Sequence, residues 1–128
     1  MLLLTLLGSS LESVAAPTLP ETANVRGLLL AAIDSRDGIA QAWLIGDMAQ
    51  KLKNDTKAPP NTRVKASVTT VQVIRPGCKR LRLVLGMPDH KMRTVNGTME
   101  PFSMFYELNL CRDGQPPQVS SVGTGEAR

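Results

Sequence analysis

His90, Asp89, Cys78 and Cys111 are the side chains whose types could carry acid–base or nucleophilic chemistry in this chain. Asp89 stands beside the chain's one histidine, but adjacency in sequence does not orient an imidazole as a general base. No serine or cysteine stands in a nucleophile motif near His90. The two cysteines also lack the Cys-X-X-Cys spacing of redox catalysts. We therefore predict that the protein is not an enzyme.

Metal and cofactor sites are not supported by the residue types either. One histidine and two cysteines that pair with each other cannot supply the three or four ligands of a zinc site. The acidic segment at residues 34–38 lacks the downstream glutamate of a calcium-binding loop and is better explained by helix capping. No phosphate-binding loop or dinucleotide-binding glycine motif is present. We expect no metal and no cofactor.

Cys78 and Cys111 are predicted to form a structural disulfide between two antiparallel strands. Residues 79–87 and 102–111 both alternate between two sets of side chains, which is typical of half-buried strands. A register that places the cysteines opposite each other also places Arg82 opposite Glu107 and joins the apolar faces. A slip of one residue would turn the leucines to the wrong face. The apolar pairs in this register are Leu81 with Leu108, Leu83 with Tyr106 and Leu85 with Met104.

The tip of this hairpin is predicted from the Asn96-Gly97 dipeptide, which favours a two-residue type I′ turn. That turn and the disulfide register agree only if residues 88–91 bulge out of the strand as four extra residues. We therefore predict a long hairpin with this bulge. The pairs that it contains are Val95 with Thr98, Met92 with Pro101 and Met87 with Phe102.

Residues 21–53 are predicted to be helical, because apolar side chains recur there at helical spacing. Residues 34–38 interrupt the pattern, so that two helices and one kinked helix both stay open. Trp43 is interpreted as a core residue of this segment. The candidate capping residues are Thr18 or Thr22 at the first start and Asp34 or Ser35 at the second.

The rest of the domain is predicted to be a sheet. Residues 64–74 are rich in valine and threonine and form the first strand, with a bulge near residues 69–70 where the apolar alternation changes phase. Residues 75–77 supply a turn into the strand that begins at Cys78. The predicted fold class is α+β, with an N-terminal helix or helix pair packed on one face of a three-stranded antiparallel sheet. The predicted domain is 16–113, with a helical part at 21–53, a sheet at 63–112 and a flexible tail at 114–128.

The first fifteen residues have the pattern of a cleavable secretory signal peptide. Residues 1–7 are almost wholly apolar, and small residues precede Ala15, after which we expect cleavage. No other stretch reaches about 18 apolar residues, the length of a membrane span. We expect an exported protein of the bacterial periplasm, where disulfides persist. The alternative is a cytoplasmic protein in which residues 2–7 begin a buried helix and both cysteines are reduced.

The net charge of +4 is concentrated in residues 51–93, which hold eleven lysines and arginines but only two aspartates. This basic segment predicts a protein partner with an acidic surface. The alternative is a solvated strand face whose cations protect a sheet edge. Nucleic acid is not expected, because aromatic residues for base stacking make up only 3% of the chain. The candidate partner-binding residues are Lys79, Arg80, Arg82, Asp89, His90, Lys91 and Arg93.

Together these features predict a small, basic, disulfide-bonded and non-enzymatic protein that is exported and binds a partner in the periplasm or envelope. An accessory component of a secretion or conjugative-transfer apparatus fits its size, leader and basic character. The alternative function is an exported inhibitor that plugs a partner's cleft with the hairpin tip at residues 88–101. The sequence predicts no oligomeric state.

Overall fold

A computed structural model describes residues 18–117, which form two helices and one five-stranded sheet. The predicted signal peptide at residues 1–15 and residues 118–128 of the predicted tail lie outside the described residues. In chain order the elements are β1 (Glu21–Thr22), α1 (Val25–Asp34), β2 (Ile39–Leu44), α2 (Asp47–Asp55), β3 (Val64–Arg75), β4 (Cys78–Arg93) and β5 (Met99–Cys111).

The strands lie in the order β1-β2-β3-β4-β5, and the short β1 is parallel to β2 while all other neighbours are antiparallel. The predicted three-stranded antiparallel sheet is therefore wrong, because β1 and β2 extend the sheet and make it mixed. The α+β class itself is confirmed. The predicted strands correspond to β3, β4 and β5, which are three of the five strands.

The strand β2 lies inside the segment that was predicted to be helical. Ala42 and Leu44 are buried, whereas the alternating Gln41 is exposed and Trp43 is half-buried on the opposite face. Each β2 residue pairs with β3, from Ile39 opposite Thr69 to Leu44 opposite Val64. Six residues with this period cannot continue a helix, so α1 and α2 are two separate helices.

The turn before β2 explains why the chain leaves α1 without starting a second helix there. The Asp37 carboxylate accepts hydrogen bonds from the Ser35 hydroxyl and from the Ile39 N–H, at 3.1 Å in the second case. Asp34 is bonded instead to the Arg112 guanidinium at 2.7 Å. The prediction that Asp34 or Ser35 caps a second helix is therefore wrong, because these side chains stabilise a turn and a long-range ion pair.

The start of α1 also differs from the prediction. Asn24 is the capping residue, and its side-chain oxygen accepts a hydrogen bond from the Gly27 N–H at 3.0 Å. The predicted cap Thr22 acts one step earlier, where its hydroxyl accepts from the Asn24 N–H. The residues that α1 buries are Leu28, Leu29, Ala32 and Ile33.

The core lies between the helices and one face of the sheet, which we call the helix face; the other is the open face. The largest fully buried side chains, Leu81, Met87, Val64 and Val68, all lie on the helix face. The core is aliphatic, and it is built from the buried residues of α1 together with side chains of β2, β3 and β4 that alternate along each strand.

The predicted β4–β5 register is confirmed. Cys78 lies opposite Cys111 and the two form a disulfide. Arg82 lies opposite Glu107, and Met87 lies opposite Phe102. The bulge in β3 falls between Thr70 and Gln72, next to the predicted position. The apolar pairs Leu81 with Leu108, Leu83 with Tyr106 and Leu85 with Met104 are also as predicted.

The tip of the hairpin has a different turn. Gly97 has a φ of +87°, but Asn96 does not have a positive φ, which a type I′ turn requires at both positions. Thr94 and Thr98 therefore close a three-residue connection, with the Thr94 N–H bonded to the Thr98 carbonyl at 2.7 Å. The longer turn shifts the pairing by one, so that Met92 lies opposite Glu100 and the bulge contains three residues, 88–90, instead of four.

Candidate binding site

The predicted partner-binding residues lie in three different places. Lys79 is on the helix face, where its ammonium donates to the Ile33 carbonyl at 2.9 Å near the end of α1. This contact stabilises the helix terminus, since a cation there compensates the partial negative charge of unpaired carbonyls. Lys79 is thus separated by the sheet from its sequence neighbour Arg80, which lies on the open face.

Arg80 and Arg82 both bind Glu107 on the open face. The Arg80 Nε lies 3.1 Å from one carboxylate oxygen, and the Arg82 Nε lies 2.8 Å from the other. The hydrogen bond from Arg82, strengthened by that from Arg80, holds the pKa of the Glu107 carboxyl below its usual range. Arg82 also lies over the Phe105 ring, 4.9 Å from its centroid. These cations therefore have partners within their own sheet.

The remaining predicted residues lie at the far end of the hairpin. His90 Nε2 lies 3.1 Å from the Thr56 carbonyl at the end of α2, and Asp89 lies 4.0 Å from the Arg63 guanidinium. Arg93 donates to the Gly97 carbonyl at 2.8 Å, within the hairpin tip. Lys91 is exposed. The bulge is thus held against the body of the domain by two contacts.

A cavity of about 620 Å³ lies beside this end of the sheet. One wall is a face of α2, formed by Gly46, Ala49, Gln50 and Lys53 at the spacing of successive helical turns. Gly46 makes the corner between β2 and α2 possible, because its φ of +91° is in the left-handed region that favours glycine. The other walls are the end of β2, with Trp43 and Leu44, and the segment at residues 60–64.

Lys53 is the side chain that distinguishes this cavity. It is only 9% exposed, and its ammonium donates to the Pro60 carbonyl at 2.7 Å. An ammonium has three N–H donors, and no carboxylate of residues 18–117 forms an ion pair with it. A buried charge without a counter-charge is costly. An anion that entered the cavity would supply the missing partner.

Arg63 adds a second positive charge at the same cavity. Its guanidinium stacks on the Trp43 ring, 4.0 Å from the centroid, and its side chain is 60% exposed. Through its long contact with Asp89, Arg63 connects the cavity to the bulge. Glu21 also lines the cavity, so two cations and one carboxylate surround it.

The chemistry that this arrangement supports is recognition of an anionic group against an apolar wall. The two cations are the candidates to bind the anion, and the indole of Trp43 with the exposed side chain of Ile45 provides apolar surface. Among residues 18–117, no three histidine, cysteine, aspartate or glutamate side chains come close enough to hold a metal ion.

Lys53 was counted in the basic segment of the sequence but was not predicted as a site residue. The sequence feature that indicates its burial is its position on the helix. A lysine that follows Ala49 and Leu52 at helical spacing falls on the buried side of α2. That signal requires the boundaries of α2, which the predicted helix at residues 21–53 obscured. Trp43 was likewise interpreted as helical core and instead lies half-buried on β2.

The chain matches no protein-family model, no curated protein and no solved structure. The role of the cavity therefore follows from its residues and geometry alone. The part of the chain that the structure describes contains no helix long and apolar enough to cross a membrane.

Proposed function

We propose that this is an exported, non-enzymatic binding protein of the bacterial periplasm or envelope that recognises an acidic segment of a partner protein. The cavity beside α2 receives a carboxylate of that segment. The observation that carries the proposal is Lys53, a residue only 9% exposed whose ammonium has one carbonyl partner and no ion pair among residues 18–117.

A carboxylate fits this site for two physical reasons. It accepts hydrogen bonds from the donors that Lys53 has left, and charged hydrogen bonds are stronger than neutral ones. The cavity volume of about 620 Å³ also exceeds that of a single carboxylate group, so neighbouring side chains of the partner can contact Trp43 and Ile45. Arg63 at the cavity mouth attracts further acidic groups of the same segment.

The proposed location has two supports. The Cys78–Cys111 disulfide is of the kind that persists in oxidising compartments, and the leader pattern at residues 1–15 is that of a secretory signal. A role beside a secretion or conjugative-transfer apparatus is part of the proposal and rests on size, leader and basic charge. The described structure favours the cavity over the hairpin tip as the contact point, because His90 and Asp89 hold the bulge against the domain.

The test uses Trp43, the single tryptophan of the chain, whose fluorescence reports on the cavity. We expect a poly-glutamate peptide to produce a saturable change in this fluorescence that weakens as the salt concentration rises. Lys53→Met removes the ammonium and retains most of the side-chain volume. It should weaken binding about tenfold or more, the value of one charged hydrogen bond.

Lys51→Met is the matched control, because Lys51 lies on the same helix with a side chain that is 78% exposed. It should leave the affinity within about twofold, since an exposed ion pair contributes little. Equal affinities for the Lys53→Met variant and the parent protein would contradict the proposal. If Lys91→Ala removed binding while Lys53→Met did not, the contact would lie on the hairpin at residues 88–101, as the inhibitor interpretation requires.

A further inference from the structure

The outer edge of β5 presents backbone groups that can pair with another strand. Within residues 18–117 no strand lies beyond β5. The Arg112 N–H donates to the Gly77 carbonyl at 2.7 Å, which makes this residue pair a hydrogen-bonded one. Hydrogen-bonded and non-bonded pairs alternate along the antiparallel ladder that continues through Cys78 and Cys111. The backbone groups that point outward are consequently those of Ser103, Phe105, Glu107 and Asn109.

The part of this edge that can pair with another strand is limited at both ends. Pro101 has no N–H to donate, and the outward N–H of Cys111 is bonded to the Gln115 carbonyl at 2.9 Å. The unpaired groups therefore form one short segment, residues 103–109. Tyr106 is its midpoint, with the same number of outward residues on each side.

Two aromatic side chains of this segment are partly exposed. Phe105 is 59% exposed and Tyr106 is 51% exposed. On the helix face, Tyr106 and Met104 border a groove of about 380 Å³ whose other side is formed by Met48 and Leu52 of α2. A strand edge of this kind is normally protected by lysine or proline, and residues 103–109 contain neither.

The charges of the edge do not oppose self-association. Glu107 is the one charged residue of the segment, and Arg80 and Arg82 compensate it. Lys51 and Asp55 beside the groove form an ion pair with each other at 3.2 Å. The net positive charge of the chain thus does not concentrate at this edge.

We propose that two copies of this chain pair through β5, antiparallel about a twofold axis at Tyr106. In this register Phe105 lies opposite Glu107 of the second copy, and Ser103 lies opposite Asn109. Every outward backbone N–H and C=O between Ser103 and Asn109 then has a hydrogen-bond partner, because each copy presents the same outward residues in the opposite order. The two sheets join into one, and the two grooves beside Tyr106 meet across the axis.

The register also fits the side chains. Tyr106 lies opposite Tyr106 of the second copy, and Met104 lies opposite Leu108, so that the helix face stays apolar across the junction. Glu107 lies beside an aromatic ring and not beside a second carboxylate. The cavity at Lys53 faces the β1–β2 side of the sheet and stays open in the dimer. The two proposals can therefore fail independently.

Sedimentation of the oxidised protein over a wide concentration range tests the dimer. We expect a concentration-dependent shift to twice the mass of one chain. Tyr106→Lys places two ammonium groups face to face at the axis and should abolish the shift. Val71→Lys is the control, because it adds the same charge at a 48% exposed position of β3 and should leave the dimer intact.

A cysteine at the axis tests the register and does not depend on the lysine variant folding well. Opposite residues in a non-bonded antiparallel pair lie close enough for a disulfide, as Cys78 and Cys111 do. Tyr106→Cys should therefore yield a covalent dimer on oxidation, whereas Val71→Cys should not. A protein that stays monomeric at every concentration would overturn the proposal and leave the edge to a strand of another protein. So would a dimer that Tyr106→Lys does not weaken.

Discussion

Glu107 and Lys53 are two charged side chains that differ in whether an opposite charge lies beside them. Glu107 receives hydrogen bonds from two guanidinium groups, whereas Lys53 has one neutral carbonyl partner among the described residues. A compensated charge stabilises the sheet, and an uncompensated one is available to a ligand. Arg80 and Arg82 are therefore expected to affect the stability of the domain more than its affinity for an acidic partner.

Acid should destabilise the protein through Glu107. A carboxyl whose pKa is lowered by folding stabilises the native state above its ordinary pKa of about 4.3, and this contribution is lost as the pH falls through the lowered value. Asp37 acts in the same direction, because hydrogen bonds from Ser35 and the Ile39 N–H lower its pKa. Glu107→Gln should therefore reduce, without abolishing, the fall in melting temperature between neutral and acidic pH.

Thermal melts across this pH range provide the measurement. The Asp37→Asn variant separates the contribution of Asp37 from that of Glu107. If the parent protein and Glu107→Gln lost stability in parallel as the pH fell, the assignment to Glu107 would be wrong.

The Arg82–Glu107 contact itself was predictable from the sequence, since the register fixed by the cysteines places these residues opposite each other. The burial of Lys53 was not predictable from the sequence, because it depends on where α2 begins and ends.

The elements show which sequence signals determine structure and which are ambiguous. β4 and β5 were predicted because two cysteines, an apolar alternation and one charge pair all agree on a register. β3 was predicted from the valine- and threonine-rich composition of residues 64–74. β2 was not predicted, since Ile39, Ala42 and Trp43 also recur at helical spacing. The hairpin tip was predicted one residue too short, because Asn96-Gly97 also occurs where glycine alone takes the left-handed conformation.

Gly38 decides where β2 begins. Its φ is +73°, and a Cβ at this position would lie 2.7 Å from the Thr70 hydroxyl oxygen, which itself donates to the Gly38 carbonyl. Gly38→Ala should therefore lower the free energy of unfolding by more than the roughly 1–2 kcal/mol of a left-handed alanine. The loss of unfolding free energy beyond this conformational cost measures the steric conflict between the added Cβ and Thr70 of β3.

Gly97→Ala is the matched control for this prediction, because its φ is +87° but nothing lies within 4 Å of the added Cβ. It should show the conformational cost alone, about 1–2 kcal/mol. Urea unfolding of both variants gives the comparison. Equal losses would show that the contact with Thr70 does not position β2.

At the scale of the whole molecule, the disulfide joins the start of β4 to the end of β5, which are 33 residues apart in sequence. The Arg112–Asp34 ion pair lies next to it and connects the end of β5 to the end of α1. These contacts hold the sheet and α1 together on the side away from the cavity. The bulge, towards the other end of β4, depends on the weaker contacts of His90 and Asp89.

Removing the disulfide should therefore destabilise the domain as a unit. The Cys78→Ala, Cys111→Ala double variant is expected to lose about 3–4 kcal/mol of unfolding free energy, the chain-entropy value for a loop of this length. Urea unfolding of the variant and of the reduced parent protein should give the same loss, because both lack the same crosslink. Alkylation of the protein recovered from its native host, before and after reduction, then tests whether the bond forms in the cell. Thiols that react without reduction would contradict export, since the stabilisation exists only in a compartment where the disulfide persists.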